Sequence, residues 1–152
     1  MSLGAGHGAL TLHVVTEVSD ELVEALVRVL PQVSKRGGQL TRDRVQLLID
    51  NPATTIIVAK LSGQIVGSAT LVRLVTLVGQ FGYIEEVVVD KAARGQGIGR
   101  ELMHELVEIA RRDGLDFVEL TSRPSRGAAN RLYQSVGFRL RETNVYRHAL
   151  DR

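Results

Sequence analysis

Cysteine is absent from the 152-residue chain, which excludes disulfides, thiolate metal sites and a cysteine nucleophile. No apolar run approaches the ~18 residues that a membrane-spanning helix needs, so no membrane partner is expected. No secretory signal stands at the start, and a soluble cytoplasmic protein is the expectation. The four histidines, His7, His13, His104 and His148, show no metal-ligand spacing, so no metal is expected. A Gly-x-Ser-x-Gly elbow is missing, which argues against a serine hydrolase. Repeats, low-complexity tracts and linkers are missing too. What remains is ordinary globular material, 44% hydrophobic and 24% charged. Its length suits one domain, able to bury roughly 70% of the unfolded surface. Residues 1–8 are small and flexible in composition, and read as a disordered tail or a remnant of expression.

The net charge is +2, and sixteen of the nineteen basic residues are arginine. Through Asp90 there are seven basic and nine acidic residues; from Lys91 onward there are twelve and eight. Glu101, Glu105, Glu108, Asp113 and Glu119 interleave with the arginines of the basic part. That mixture argues against nucleic acid and for a small anionic ligand.

Leu10 to Val15 alternates weakly as a first strand. Ser19 or Asp20 can cap a helix carrying Leu22, Leu26 and Val29 at helical spacing, with Pro31 just beyond it. Thr41 can cap a second, before Val45, Leu48 and Ile49, and Asn51-Pro52 breaks it. Thr54 to Ala59 and Ile65 to Val72 flank Ser62-Gly63 as an antiparallel hairpin, which Leu74 to Val78 extends past a bend. Gly79 and Gly82 bracket another turn. In Tyr83 to Val89 the run Val87-Val88-Val89 does not alternate, so both faces should be covered by protein or ligand. A helix follows from Gly97 to Arg112, then a short central strand, Phe117 to Thr121. Arg126 to Val136 is a further helix, stopped at Gly137. Phe138 to Leu140 and Asn144 to Leu150 complete the pattern as strands, and the apolar last strand could pair across a homodimer.

The sharpest signal is Arg94-Gly95-Gln96-Gly97-Ile98-Gly99-Arg100, between a buried strand and an amphipathic helix. Glycines let successive N–H groups converge on one point, and the helix adds its own unpaired N–H groups and dipole. Together they can hold phosphate, with charge from Arg94 and Arg100. A plain strand-to-helix turn needs one or two glycines, not three flanked by arginines. A P-loop needs a Gly-Lys-Ser/Thr ending, which is missing. A dinucleotide fingerprint needs a sixth-position glycine, where Arg100 stands, and no insertion such as Asp90 to Arg94 after the strand. Glu119, about twenty residues on, keeps a nicotinamide ligand as an alternative.

Arg94-x-x-Gly97-x-Gly99 resembles the acyl-CoA diphosphate motif of the GNAT superfamily of N-acetyltransferases. The strand Ile84-Glu85-Glu86-Val87-Val88-Val89-Asp90 and the segment Asn130-Arg131-Leu132-Tyr133-Gln134-Ser135-Val136-Gly137-Phe138 are similar to that superfamily as well. The resemblance runs from about Thr54 to Leu150. The glutamate-rich strand locally resembles the glucosamine-phosphate branch, from which Arg123 to Arg126 departs. The resemblance implies a single α/β domain over residues 1–152. Its sheet would be mixed, mostly antiparallel, of about six to seven strands with helices on both faces. It also implies transfer of an acetyl group from acetyl-CoA to a primary amine, small-molecule or protein, through a tetrahedral intermediate. Backbone groups of Val87 and Val89 would bond the pantetheine arm, and the amides of Gly95, Gln96, Gly97, Gly99 and Arg100 the diphosphate. Asn130 would bond the arm as well, and Tyr133, three residues on and so on the same helix face, would sit near the sulfur. A non-catalytic acyl-CoA sensor is the alternative.

A thiol titrates at about 8.5 and a tyrosine at about 10, so full proton transfer between them is uphill by roughly 2 kcal/mol. Tyr133 is therefore expected to act mainly as a hydrogen-bond donor to the leaving sulfur. Glu85 and Glu86 are the candidate bases. Adjacent on a strand they point to opposite faces, and a bulge would reset the parity; Glu85 is preferred. A glutamate and a lysine-like amine are mismatched by about 6 units, which favours an α-amine or amino-sugar nitrogen. The first two helices would border the acceptor. Arg36, Arg42 and Arg44 there would either meet an anionic group on it or form a solvated face.

Overall fold

The computed structural model describes residues 8–151. The expectation for residues 1–8 therefore lies, apart from Gly8, outside the described residues. The chain divides after Thr121 into two compact units. In the first, Ser19 Oγ accepts from Leu22 N at 3.1 Å and starts α1, Asp20–Val29. Asp20 and Glu21 occupy the positive end of its dipole and Arg28 the negative end. Pro31 lies in the tight 3-10 turn that follows, Leu30–Gln32. Thr41 does for α2, Arg42–Asp50, what Ser19 does for α1: its hydroxyl accepts from Arg44 N at 3.2 Å.

Five strands, β1 Leu10–Val14, β2 Thr54–Leu61, β3 Gln64–Thr76, β4 Gly79–Val89 and β5 Val118–Glu119, form one sheet in that order. All neighbours are antiparallel except β4 and β5. Ser62 and Gly63, with φ of 51° and 80°, make the left-handed two-residue turn between β2 and β3. β2 is buried without interruption from Ile56 to Ala59, because both faces of the sheet are covered. Val58 packs with Leu22, Leu26, Val29 and Val45 of α1 and α2. On the opposite face lies α3, Ile98–Arg112, whose Ile98 and Leu102 close on Gly67. Burying one such aliphatic side chain contributes about 1.5–3 kcal/mol, so the two-sided cover supplies much of the core.

The second unit holds α4, Gly127–Ser135. Gly137 follows it with φ of 99°, the left-handed stop that the sequence predicts.

Several sequence expectations are corrected. Among the described residues the sheet has five strands rather than six or seven. Phe138 to Leu140 and Asn144 to Leu150 form no strand. A strand exists only through a ladder, and among the described residues no cross-strand pairing involves them. Leu140, Val145, Tyr146 and Leu150 are exposed. Without those strands β5 stands at the sheet edge rather than its centre, and only Val118 and Glu119 are long enough in register to pair. β3 runs on to Thr76 without a bend, and the turn falls at Leu77 and Val78. Gly79 and Gly82 belong to β4 instead; Gly82 is needed where Leu71 and Val118 press on the backbone.

Candidate functional site

β4 pairs with β3 along its whole length but with β5 only at Gly82 and Tyr83. From Ile84 to Val89 its second edge has no strand beside it among the described residues. The register to β3 slips here: Thr70 faces Glu85 and Ser68 faces Val88, so one extra residue sits in β4. Glu86 absorbs it with φ of 54°, a left-handed conformation that costs a non-glycine residue roughly 1–2 kcal/mol.

The open edge leads into the glycine turn. Gly95 and Gly97 have φ of 82° and 79°, and a Cβ on either would meet nothing within 4 Å. Conformation, not crowding, requires glycine there. Gly97 is the N-cap of α3 and offers no side-chain cap, so the first N–H groups of that helix look to an outside acceptor. Gly99 is buried in the first turn of α3, and Gln96 Nε2 donates to Ala93 O at 3.2 Å. Arg94 is exposed but tied down: Nε donates to Val89 O at 3.0 Å and a terminal nitrogen to Gln32 Oε1 at 3.1 Å. Arg100 already has an interaction partner.

Gln32 is a site residue that sequence reasoning missed. Its Oε1 also accepts from Lys91 N at 3.0 Å, and its Nε2 donates to Asp90 Oδ1 at 3.4 Å. Arg28 Nε lies 3.5 Å from Asp90 Oδ2. Burial alone would raise the Asp90 pKa. The hydrogen bonds from Gln32 and Ala92 N–H, with the Arg28 charge, outweigh it and hold the carboxyl below its ordinary value.

Under α1 and α2 the sheet forms a recess walled by Leu26, Leu30, Leu40, Val45, Leu48 and Ile56. Its polar lining consists of Ser68 and Thr70 from β3 and Glu86 from the bulge. Glu86, not the preferred Glu85, is therefore the carboxylate on this recess, whereas Glu85 has an interaction of its own. Ser68 and Thr70 were legible as two hydroxyl residues at alternate positions of an apolar strand, yet nothing in the pattern marked them as site residues. Arg42 pairs with Asp20 at 2.7 Å, and Arg36, Arg42 and Arg44 all stand outside the lining.

The first unit thus brings together Val87, Val89, both glutamates and the glycine turn. Asn130 and Tyr133 lie on one face of α4 in the second unit. Asn130 Nδ2 donates to the carbonyl of Arg123 at 3.0 Å, which fixes the side chain against the preceding loop. Tyr133 is buried and meets Phe138 edge to face, with ring centroids 6.3 Å apart.

Residues 19–138 match the family model described as "Acetyltransferase (GNAT) family". The chain is 39% identical over 87 residues to the glucosamine 6-phosphate N-acetyltransferase of Trypanosoma brucei brucei, which covers 55% of this chain and 57% of that one. It is 38% identical over 89 residues to the N-alpha-acetyltransferase RimI of Mycobacterium tuberculosis, covering 58% and 54%. The crystal structure of a Trypanosoma brucei acetyltransferase is similar with a TM-score of 0.75 and 27% identity, over 93% of this chain and 100% of that one. The chain spans less than two thirds of the length of the curated relatives it first matches: 23%, 34% and 57%.

Proposed function

The chain belongs to the GNAT acetyltransferase family, and from that premise we propose that it transfers an acetyl group from acetyl-CoA to a primary amine of a small molecule or protein. The observation that carries this reading is the open edge of β4 beyond Tyr83, running directly into two left-handed glycines and an uncapped helix start. An amide-bearing arm can continue the sheet along such an edge, and a diphosphate can take the N–H groups that follow. When bound, acetyl-CoA supplies an activated thioester.

The residues of the chain then divide the work. Backbone groups of Val87 and Val89 orient the arm; because Val89 O already accepts from Arg94, that carbonyl has one lone pair left to offer. The amides of Gly95, Gln96, Gly97, Gly99 and Arg100 hold the diphosphate, and Arg94 adds charge while bracing the strand end. Asn130 offers its amide oxygen to the arm. Tyr133 donates a hydrogen bond to the departing sulfur. Glu86 accepts the proton that the amine loses.

Thermal unfolding with acetyl-CoA and with NAD tests the ligand. A ligand at 100 times its Kd stabilises by roughly 2.7 kcal/mol, so acetyl-CoA should raise Tm by several degrees and NAD should not. Release of CoA in the presence of amines tests transfer and separates an enzyme from a sensor. Tyr133→Phe should lower kcat about tenfold or more and leave the acetyl-CoA shift in place; undiminished turnover would remove Tyr133 from the mechanism.

A further inference from the structure

Resting on the transfer activity proposed above, we infer that Gln32 is a positioning residue for the donor's diphosphate: it holds the Arg94 guanidinium in place before acetyl-CoA arrives. The side-chain oxygen of a glutamine has two lone pairs. In Gln32 both are used, one by Lys91 N at 3.0 Å and one by an Arg94 terminal nitrogen at 3.1 Å. Its nitrogen donates to Asp90 Oδ1 at 3.4 Å. A carboxylate in this position would meet Asp90 with like charge, and a hydrocarbon would answer neither side. An amide presents an acceptor to the two donors and a donor to the carboxylate at once.

The backbone that carries this amide is itself fixed. Gln32 ends the 3-10 turn Leu30–Gln32, in which Pro31 restricts φ, Leu30 is buried, and Val33 N and Ser34 N both donate to Leu30 O. Gly37 packs on the turn so closely that a Cβ there would stand 2.5 Å from the Leu30 carbonyl carbon. Gln32 and Arg94, by contrast, are both exposed. Hydrogen bonds between exposed groups add little to folding, because water would satisfy the same atoms. Their effect falls on the arginine. An exposed arginine samples many rotamers and loses that freedom when it grips a ligand. Arg94 has lost it already, with Nε tied to Val89 O and a terminal nitrogen to Gln32. Among the described residues, three of its five N–H donors are left for an anion. Val89 ends the open edge of β4 and Arg94 immediately precedes the first glycine of the turn. The tie therefore sits where the arm would give way to the diphosphate.

Calorimetric titration of acetyl-CoA into the parent chain, Gln32→Met, Arg94→Met and the double variant decides the matter. Gln32→Met keeps the length of the side chain and removes its hydrogen bonds. It should raise the Kd for acetyl-CoA about fivefold and leave the Tm of the free protein within about 2 °C of the parent. Arg94→Met should raise Kd about tenfold. If Gln32 acts by holding Arg94, the double variant should bind no more than about twofold more weakly than Arg94→Met alone. At saturating acetyl-CoA, Gln32→Met should keep kcat within about twofold for the amine that the parent uses best, so that only the donor KM moves. An unchanged Kd in Gln32→Met overturns the inference. So does a loss that simply adds to that of Arg94→Met, or a Tm lowered by several degrees, which would make the amide a brace of the fold. Each of these results leaves the proposed activity standing. A parent chain that gives no heat with acetyl-CoA overturns that activity and this inference with it.

Discussion

The two halves of β4 share one strand and differ in company. Gly79–Tyr83 has β3 on one side and the β5 segment on the other: Gly82 N donates to Phe117 O at 2.9 Å, Gln80 O accepts from Asp116 N at 2.9 Å, and Phe81 stacks on Phe117 at 4.9 Å. Among the described residues Ile84–Val89 has only β3 beside it, with a bulge and a strained glutamate. Backbone groups that a sheet normally satisfies internally are satisfied in the first half and offered in the second. The first half is therefore a matter of folding and the second a matter of binding, which makes opposite predictions for substitutions a few residues apart.

The largest effect belongs to Glu86→Gly. Loss of a general base costs on the order of 100-fold or more in kcat. The same substitution relieves the positive φ, so after the entropy that glycine adds to the unfolded chain, stability should rise by about 0.5–1 kcal/mol. Lower activity with a higher Tm would sharpen the contrast. A Tm that falls would show that the glutamate holds the bulge together, and the two halves would differ less than proposed.

Gly82→Ala probes the other half and should behave in the reverse sense. A Cβ there would stand 2.7 Å from Leu71 Cδ1 and 3.0 Å from Val118 Cγ1, both in packed surroundings. Such overpacking costs about 1–3 kcal/mol, or a Tm loss of several degrees, as differential scanning calorimetry would read it. Folded Gly82→Ala should keep the acetyl-CoA affinity and kcat of the parent chain. A selective loss of acetyl-CoA binding would mean that closure by β5 shapes the open edge as well.

What the sequence revealed follows the range of the forces involved. The caps at Ser19 and Thr41, the Ser62-Gly63 turn and the stop at Gly137 are local, set by side chains within three or four residues of the backbone they serve, and all four are where the pattern put them. The glycine turn was legible for the same reason. The bulge was expected without its position, because parity in a strand depends on the partner's register rather than on the strand's own residues. The last two strands were misread because apolar residues can favour a strand without providing a ladder. Gln32 was missed because its partners Asp90 and Arg94 lie 58 and 62 positions away.

The smallest predicted effect sits where the open half ends. Asp90 follows Val89 directly and is held by Gln32, by Ala92 N–H and by Arg28, against the burial that opposes its ionisation. Its folded pKa lies below the ordinary carboxylate value of about 3.9. The stabilisation is therefore complete above about pH 4 and is lost as pH falls through the lower folded value. Asp90→Asn should cost under about 1 kcal/mol at pH 7, the range of partly exposed ion pairs, and the gap to the parent chain should close in acid melts below pH 4. A gap that persists in acid would show that hydrogen-bond geometry, not charge, ties the strand end to Gln32. In that case the open half is held in place by the same neutral contacts that close the first half, and the difference between them reduces to the missing strand alone.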